Sequence, residues 1–225
     1  MSEGQIARAR ERGLSAGLMK FLYPWLTGRI GAFLLYRFVL PNADHVFVQS
    51  MRMMKDVAAF GVPRGSMTPV PMGVDLEAIQ AEAIEPSNDP RLSGRRTLVN
   101  LGSLDRPRRI ERLFDMLALV KQKLPEVLLV LVGDTEDVVH RDWLRQQAQK
   151  AGVADEVLWT GWLSMKEGWR YVRAAQIGLS PIPRGYLLDC SSPTKVPEYL
   201  ALGVPVVCND NPDQEEIVES SGAGT

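Results

Sequence analysis

From residue 97 onward the apolar positions fall into five short continuous runs, TLVNLGSL (97–104), EVLLVLVGD (126–134), EVLWTGWL (156–163), QIGLSPIP (176–183) and VPVVCND (204–210). Continuous rather than alternating apolar runs mark strands buried on both faces. Between them stand RRIERLFDMLALVKQKL, DVVHRDWLRQQAQKAG, SMKEGWRYVRAA and KVPEYLALG, with apolar residues at helical spacing. This alternation predicts a parallel sheet wound with helices on both faces. Upstream, ADHVFVQS (43–50) reads as a strand running into a helix cap, MRMMKDVAAFG as the helix, and MTPVPMGVD (67–75) as a further short strand. The polar AEAIEPSNDPRLSGRR then carries a linker signature. The pattern divides the chain into the end of one α/β unit (1–78), a linker (79–95) and most of a second α/β unit (96–225), with both ends of the chain read as cut.

The chain has 225 residues, 45% hydrophobic and 24% charged, as soluble globular chains have. The net charge of −1 supplies no general attraction for nucleic acid. It is unevenly spread, however. Residues 1–40 hold six basic residues (Arg8, Arg10, Arg12, Lys20, Arg29, Arg37) against Glu3 and Glu11, a balance of +4 that leaves −5 for the rest. In this region FLYPWLTGRIGAFLLYRFVL is too interrupted by Arg29, Arg37 and Pro24 to span a bilayer. Two readings stand for it: an amphipathic helix packed on its own domain, or one lying on an anionic membrane surface. The two cysteines, Cys190 and Cys208, have no metal-ligand spacing, and the expected compartment is a reducing cytoplasm, at the inner face of the membrane if the basic stretch meets lipid.

Parallel sheets bind ligands beyond the carboxyl ends of their strands. The first such end, LGSLDRPRRI, has Gly102 for a tight turn and Arg106, Arg108 and Arg109 just before the next helix. Cations at a helix start oppose its dipole unless an anion joins them; a solvated basic face is the alternative. Neither of the usual glycine-rich phosphate fingerprints is present. The second end, SSPTKVPEYLALGVPVVCND (191–210), sets Lys195 where a helix begins, because Pro197 is tolerated only in a first turn. The amides around Thr194, Lys195 and Val196 together with the lysine ammonium predict a phosphate site. Glu198, one turn in, could hold a vicinal diol such as a ribose. Past the third end, the backbone at Trp162 could face a base, or Trp162 could be core. His45 and His140 read as structural.

Together these residues resemble the retaining GT-B glycosyltransferases of family four. ADHVFVQS…VPMGVD is similar to the end of the acceptor domain and its crossing into the donor domain. LGSLDRPRRIERL is similar to the family's glycine, basic loop and helix, with Arg108 where the pyrophosphate-binding lysine stands and Ser103 where an arginine often stands. SPTKVPEYLALGVPVVCNDNPDQ resembles the donor-site segment, in which Glu198 matches the ribose-binding carboxylate. The resemblance therefore implies a donor set of Gly102, Ser103, Arg108, Trp162, Asp189, Cys190, Ser192, Thr194, Lys195, Val196 and Glu198. Two departures stand out: Cys190, beside Asp189, occupies the place of the first glutamate of the E-x7-E pair, and Ser192-Pro193 replaces the usual Phe-Gly. No residue before Ala43 matches the acceptor-side catalytic motifs, so the catalytic residues stay unassigned. The resemblance implies a nucleotide-diphosphate sugar donor, a glycan or lipid-linked acceptor, and neither metal nor cofactor; the chain has no D-x-D pair. A nucleotide-sugar epimerase of the same architecture is the alternative enzyme, but the chain shows no clear acid and base pair for it. A non-catalytic phospho-receiver would need an acidic pair where Asn100 to Ser103 stand.

Overall fold

A computed structural model describes residues 18–225, which form two compact units; Arg8, Arg10 and Arg12 of the basic stretch lie outside the described residues. Of the described residues, 18–71 together with Asp189–Ser192 form the first unit, and Met72–Leu188 with Pro193–Thr225 form the second.

In the first unit a helix, α1 (Leu18–Leu34), runs on through a π-helical turn (Leu35–Val39) and a 3-10 turn (Leu40–Asn42). Trp25, Ile30, Phe33 and Phe38 are exposed on it, and the Arg29 guanidinium stands 5.2 Å from the Trp25 ring centroid. Among the described residues no helix is long and apolar enough to cross a membrane. Strand β1 (Val46–Val48) pairs in parallel with β2 (Met67–Pro69), and α2 (Met51–Ala59) crosses between them. Both strands are shorter than their apolar runs. Val48, Val57, Val62 and Met67 form the small core. Ser50 caps α2 by accepting a bond from the Met53 amide at 3.1 Å, as its position before the apolar helix predicts.

The second unit is a five-stranded parallel sheet in the order β5-β4-β3-β6-β7, made of β3 (Arg96–Leu101), β4 (Val127–Val132), β5 (Val157–Gly161), β6 (Ile177–Ser180) and β7 (Val206–Cys208). Strands β3, β4 and β5 end earlier than their apolar runs because glycines turn the chain out of the sheet. Gly102, Gly133 and Gly161 follow or close β3, β4 and β5 at φ of +119°, +132° and +72°, where a side chain would be strained. A Cβ on Gly133 would also run into the Gly102 carbonyl.

Strand β4 shows why the runs are continuous. Successive strand residues point to opposite faces, so Leu128, Val130 and Val132 enter one core while Val127, Leu129 and Leu131 enter the other. The second of these cores is closed by α4 (Glu111–Lys121) with Leu113, Phe114 and Leu117, and by α5 (Val138–Lys150) with Leu144 and Ala148. The first is closed by α3 (Leu76–Ala81), α6 (Met165–Arg173), α8 (Lys195–Ala201) and α9 (Pro212–Ser221), through Ile79, Val172, Val196, Tyr199 and Val218. A short helix, α7 (Tyr186–Asp189), completes the set. This is the doubly wound parallel sheet that the pattern predicts, with about 1.5–3 kcal/mol of hydrophobic stabilisation for each large side chain fully buried. The stretch expected as a linker packs on this unit: Ile84 is buried in its core, and the Ser87 amide donates to the Arg170 carbonyl at 2.8 Å.

Candidate functional site

The chain leaves β3 toward β4 and β5 on one side and reaches β6 and β7 on the other, so the topological switch point lies between β3 and β6. A crevice opens at such a point, beyond the carboxyl ends of the strands. Here β3 and β6 are in register only at Leu98 with Ile177 and Val99 with Gly178. Beyond that pair, the buried Tyr199 hydroxyl bridges the strands, accepting from the Leu101 amide at 2.8 Å and donating to the Leu179 carbonyl at 3.2 Å. Its ring lies where a Cβ on Gly178 would have to be, which requires glycine there. Tyr199→Phe would keep the ring but leave the Leu101 N–H unpaired in the interior. We expect a loss of roughly 1–3 kcal/mol, read as a lower urea midpoint at unchanged m-value; an unchanged midpoint would show that the bridge contributes nothing.

Four residues before Tyr199 on α8, and thus on the same helical face, stands Lys195. Its Nζ donates to Asn100 Oδ1 at 3.0 Å. Its Cε would lie 3.2 Å from a Cβ on Gly102, so Gly102 serves both the turn and the close approach of the lysine. Asn100 is fully buried on β3, and its Nδ2 has no partner among the described residues. Burial, then the nearby Arg108 charge, push the Lys195 ammonium down to about 7, with Glu198 acting in the opposite sense. A buried ammonium further disfavoured by a neighbouring guanidinium marks a place where an anion would be welcome.

The three arginines of the β3 loop separate. Arg106 pairs with Asp137 at 3.1 Å, both side chains being nearly half exposed. Arg109 is exposed, in left-handed backbone at φ +55°. Arg108 is half-buried in the 3-10 turn Arg106–Arg108 and has no ion pair among the described residues. Ser103 is half-buried beside Gly102. Thr194 is the residue ahead of α8, without a side-chain cap bond, and Val196 is buried in the core. Glu198, half-buried in the first turn, accepts from Trp169 Nε1 at 2.9 Å, a partner that sequence reasoning missed. Trp169 reads in the sequence only as one of the apolar positions of α6. Trp162 follows the end of β5 and is 59% exposed, so its alternative as core does not hold.

The remaining expected residues, Asp189, Cys190 and Ser192, belong to the first unit and are buried. The Cys190 carbonyl accepts from Ser50 Oγ at 2.8 Å, and its thiol donates to Asp56 Oδ2 at 3.0 Å. Burial, then the Asp56 charge, raise the thiol to about 11, so it is not a nucleophile at neutral pH. His45 bonds Thr68 Oγ1 at 2.8 Å, and His140 is buried against Trp143, both in structural surroundings. Among the described residues no cluster of three His, Cys, Asp or Glu could hold a metal ion. A buried network that sequence did not announce, Gln214 with Ser180 and Asn209, and Asn211 with the Leu188 carbonyl at 2.8 Å, secures the loop after β6.

The model of the family described as Glycosyl transferases group 1 matches residues 84–225. Among curated proteins, the chain is 24% identical over 200 residues to the alpha-monoglucosyldiacylglycerol synthase of Streptococcus pneumoniae, covering 84% of this chain and 43% of that protein. It is 29% identical over 183 residues to the GDP-mannose-dependent alpha-(1-6)-phosphatidylinositol monomannoside mannosyltransferase of Mycobacterium tuberculosis, covering 79% of this chain and 46% of that protein. The chain thus spans about half the length of the curated relatives it matches. Among solved structures, Anabaena HepE in complex with UDP superposes with a TM-score of 0.63 at 19% identity, over 94% of this chain and 54% of that one. WaaG, a glycosyltransferase involved in lipopolysaccharide biosynthesis, superposes at 0.62 and 18% identity, over 91% and 55%. These likenesses show the fold.

Proposed function

The chain belongs to the glycosyl transferases group 1 family, and from that premise we propose that it supplies the donor site of an enzyme that moves a sugar from a nucleotide-diphosphate sugar to a glycan or lipid-linked acceptor with retention at the anomeric carbon. The observation that carries this reading is Lys195, a cation without an acidic ion-pair partner among the described residues, against Gly102 and Asn100 at the switch point, with the Arg108 charge near enough to act on it. The two cations would hold the diphosphate and neutralise the charge that develops on it as the glycosidic bond breaks, which is electrostatic stabilisation of a leaving group and needs no proton transfer from them. Glu198, oriented by the Trp169 indole, would accept from the ribose hydroxyls. A relative named for diacylglycerol and another named for phosphatidylinositol support a lipid-linked acceptor.

Calorimetric titration with a panel of nucleoside diphosphates and their sugars tests the donor site directly; no binding by any of them would overturn it. In the same assay Glu198→Ala is expected to weaken nucleotide binding by about tenfold, the worth of a charge-assisted hydrogen bond, and by more than Asp189→Ala does. Equal losses would show that the ribose assignment is wrong.

A further inference from the structure

On the face of α6 away from Trp169, a cavity of about 690 Å³ lies between the helix and the segment 87–91. Residues 167, 170 and 171 share one helical face, and residue 169 falls on the opposite one. Within the cavity wall Asp89 is already saturated. It accepts from Arg91 Nη2 at 2.6 Å, Arg91 Nε at 2.9 Å, the Arg91 amide at 2.9 Å and the Tyr171 hydroxyl at 2.7 Å. These bonds, the Arg91 side chain foremost, hold its carboxyl far below the usual carboxylate range. Arg91 is thereby neutralised. Arg170 is not: it has no ion pair among the described residues, and its Nε is sealed from solvent with no acceptor. That sealed Nε does not face the cavity; the rest of the half-buried Arg170 side chain lines it with no carboxylate against its charge, and an anion there would balance that charge. Glu167 uses Oε2 to accept from Ser164 Oγ at 3.1 Å, and Asn88 is exposed at the rim. The Glu167 carboxylate would repel a bare dianion held close to it but would accept hydroxyl groups.

We infer that this cavity is a second ligand site, for a small hydroxylated anion such as the phosphate monoester of a polyol. Its acid group is held by Arg170 and its hydroxyls by Glu167 and Asn88. The site is separate from the switch-point crevice and does not rest on the donor reading. Its volume is in the range of small-molecule pockets.

The test is an amide and arginine side-chain NMR titration of the whole chain with glycerol 1-phosphate, inorganic phosphate and glycerol, in wild type, Lys195→Ala, Arg170→Gln and Asn88→Ala. Saturable shifts at residues 87–91 and at the Arg170 Nε–H are expected with the two anions and not with glycerol, with glycerol 1-phosphate the tighter. Lys195→Ala, which removes the anion response at Gly102, should leave these shifts intact. Arg170→Gln should weaken the response about tenfold or more, and Asn88→Ala, at an exposed position that folding does not depend on, should weaken glycerol 1-phosphate but not phosphate. An absence of saturation at residues 87–91 up to about 50 mM, far weaker than the millimolar range of the feeblest specific sites, would overturn the inference. So would shifts there that vanish in Lys195→Ala, or an undiminished response in Arg170→Gln.

Discussion

Lys195→Ala is expected to weaken the binding of a nucleoside diphosphate by about ten- to a hundredfold while leaving the bare nucleoside nearly unaffected. The lysine would contribute a charge-assisted hydrogen bond to the diphosphate, worth roughly 1.5–3 kcal/mol, which converts to that range of affinity. Arg108→Ala should cost a similar amount, because the guanidinium comes from a different strand end but disfavours the same ammonium's charge. The double variant should depart from additivity by more than about 0.5 kcal/mol, as groups acting on one ligand do. In the free protein the Arg108 charge disfavours the Lys195 ammonium, so removing Arg108 relieves the lysine as well as losing its own contact. Surface charges would act otherwise: both ligands would change slightly and added salt would erase the difference. Calorimetry of diphosphate and nucleoside on the four proteins reads all of this. Wild-type diphosphate affinity in Lys195→Ala would remove the lysine from the site.

The second large effect is on pH. With the Lys195 ammonium at about 7 in the free protein, half of the molecules carry the charge at that pH and about one in a hundred at pH 9. If the neutral lysine forfeits the same ten- to hundredfold as Lys195→Ala, the weighted affinity of the two forms falls by about five- to twenty-fivefold between pH 7 and 9. The ligand is not the cause, since the last phosphate proton leaves near pH 6. Binding at pH 8 should therefore take up roughly 0.4–0.8 of a proton, visible as a binding enthalpy that depends on the ionisation enthalpy of the buffer. Lys195→Ala should show neither effect. The stability of the unliganded protein runs the other way. The ammonium is depressed from its usual 10.5, so the unfolded chain binds more protons between about 7 and 10.5, and this lysine's contribution to stability improves as pH rises through that window. An affinity for diphosphate that is flat from pH 7 to 9 would show that Lys195 is charged throughout, or distant from the ligand.

What could be read without the structure follows from periodicity and punctuation. A run such as VLLVLV can be continuous only if both faces of a strand are covered, and β4 has a core on each side. Gly102 and Pro197 constrain the backbone by their own covalent chemistry, so the turn after β3 and the start of α8 near Lys195 are local facts. The strand ends were less legible, because an apolar residue past a glycine looks the same as one before it. What only the tertiary structure decided is which partner each polar side chain meets. Arg106, Arg108 and Arg109 are alike in sequence, yet Asp137, from the start of another helix, occupies the first and leaves Arg108 without an ion pair among the described residues. Trp169 is bound to Glu198 across 29 positions, and Cys190 to Asp56 across 134. Hydrogen bonds and ion pairs act over a few ångströms between atoms that the chain path brings together, so no local pattern encodes them. The periodicities that build the elements repeat within a few residues, and the sequence alone determines them.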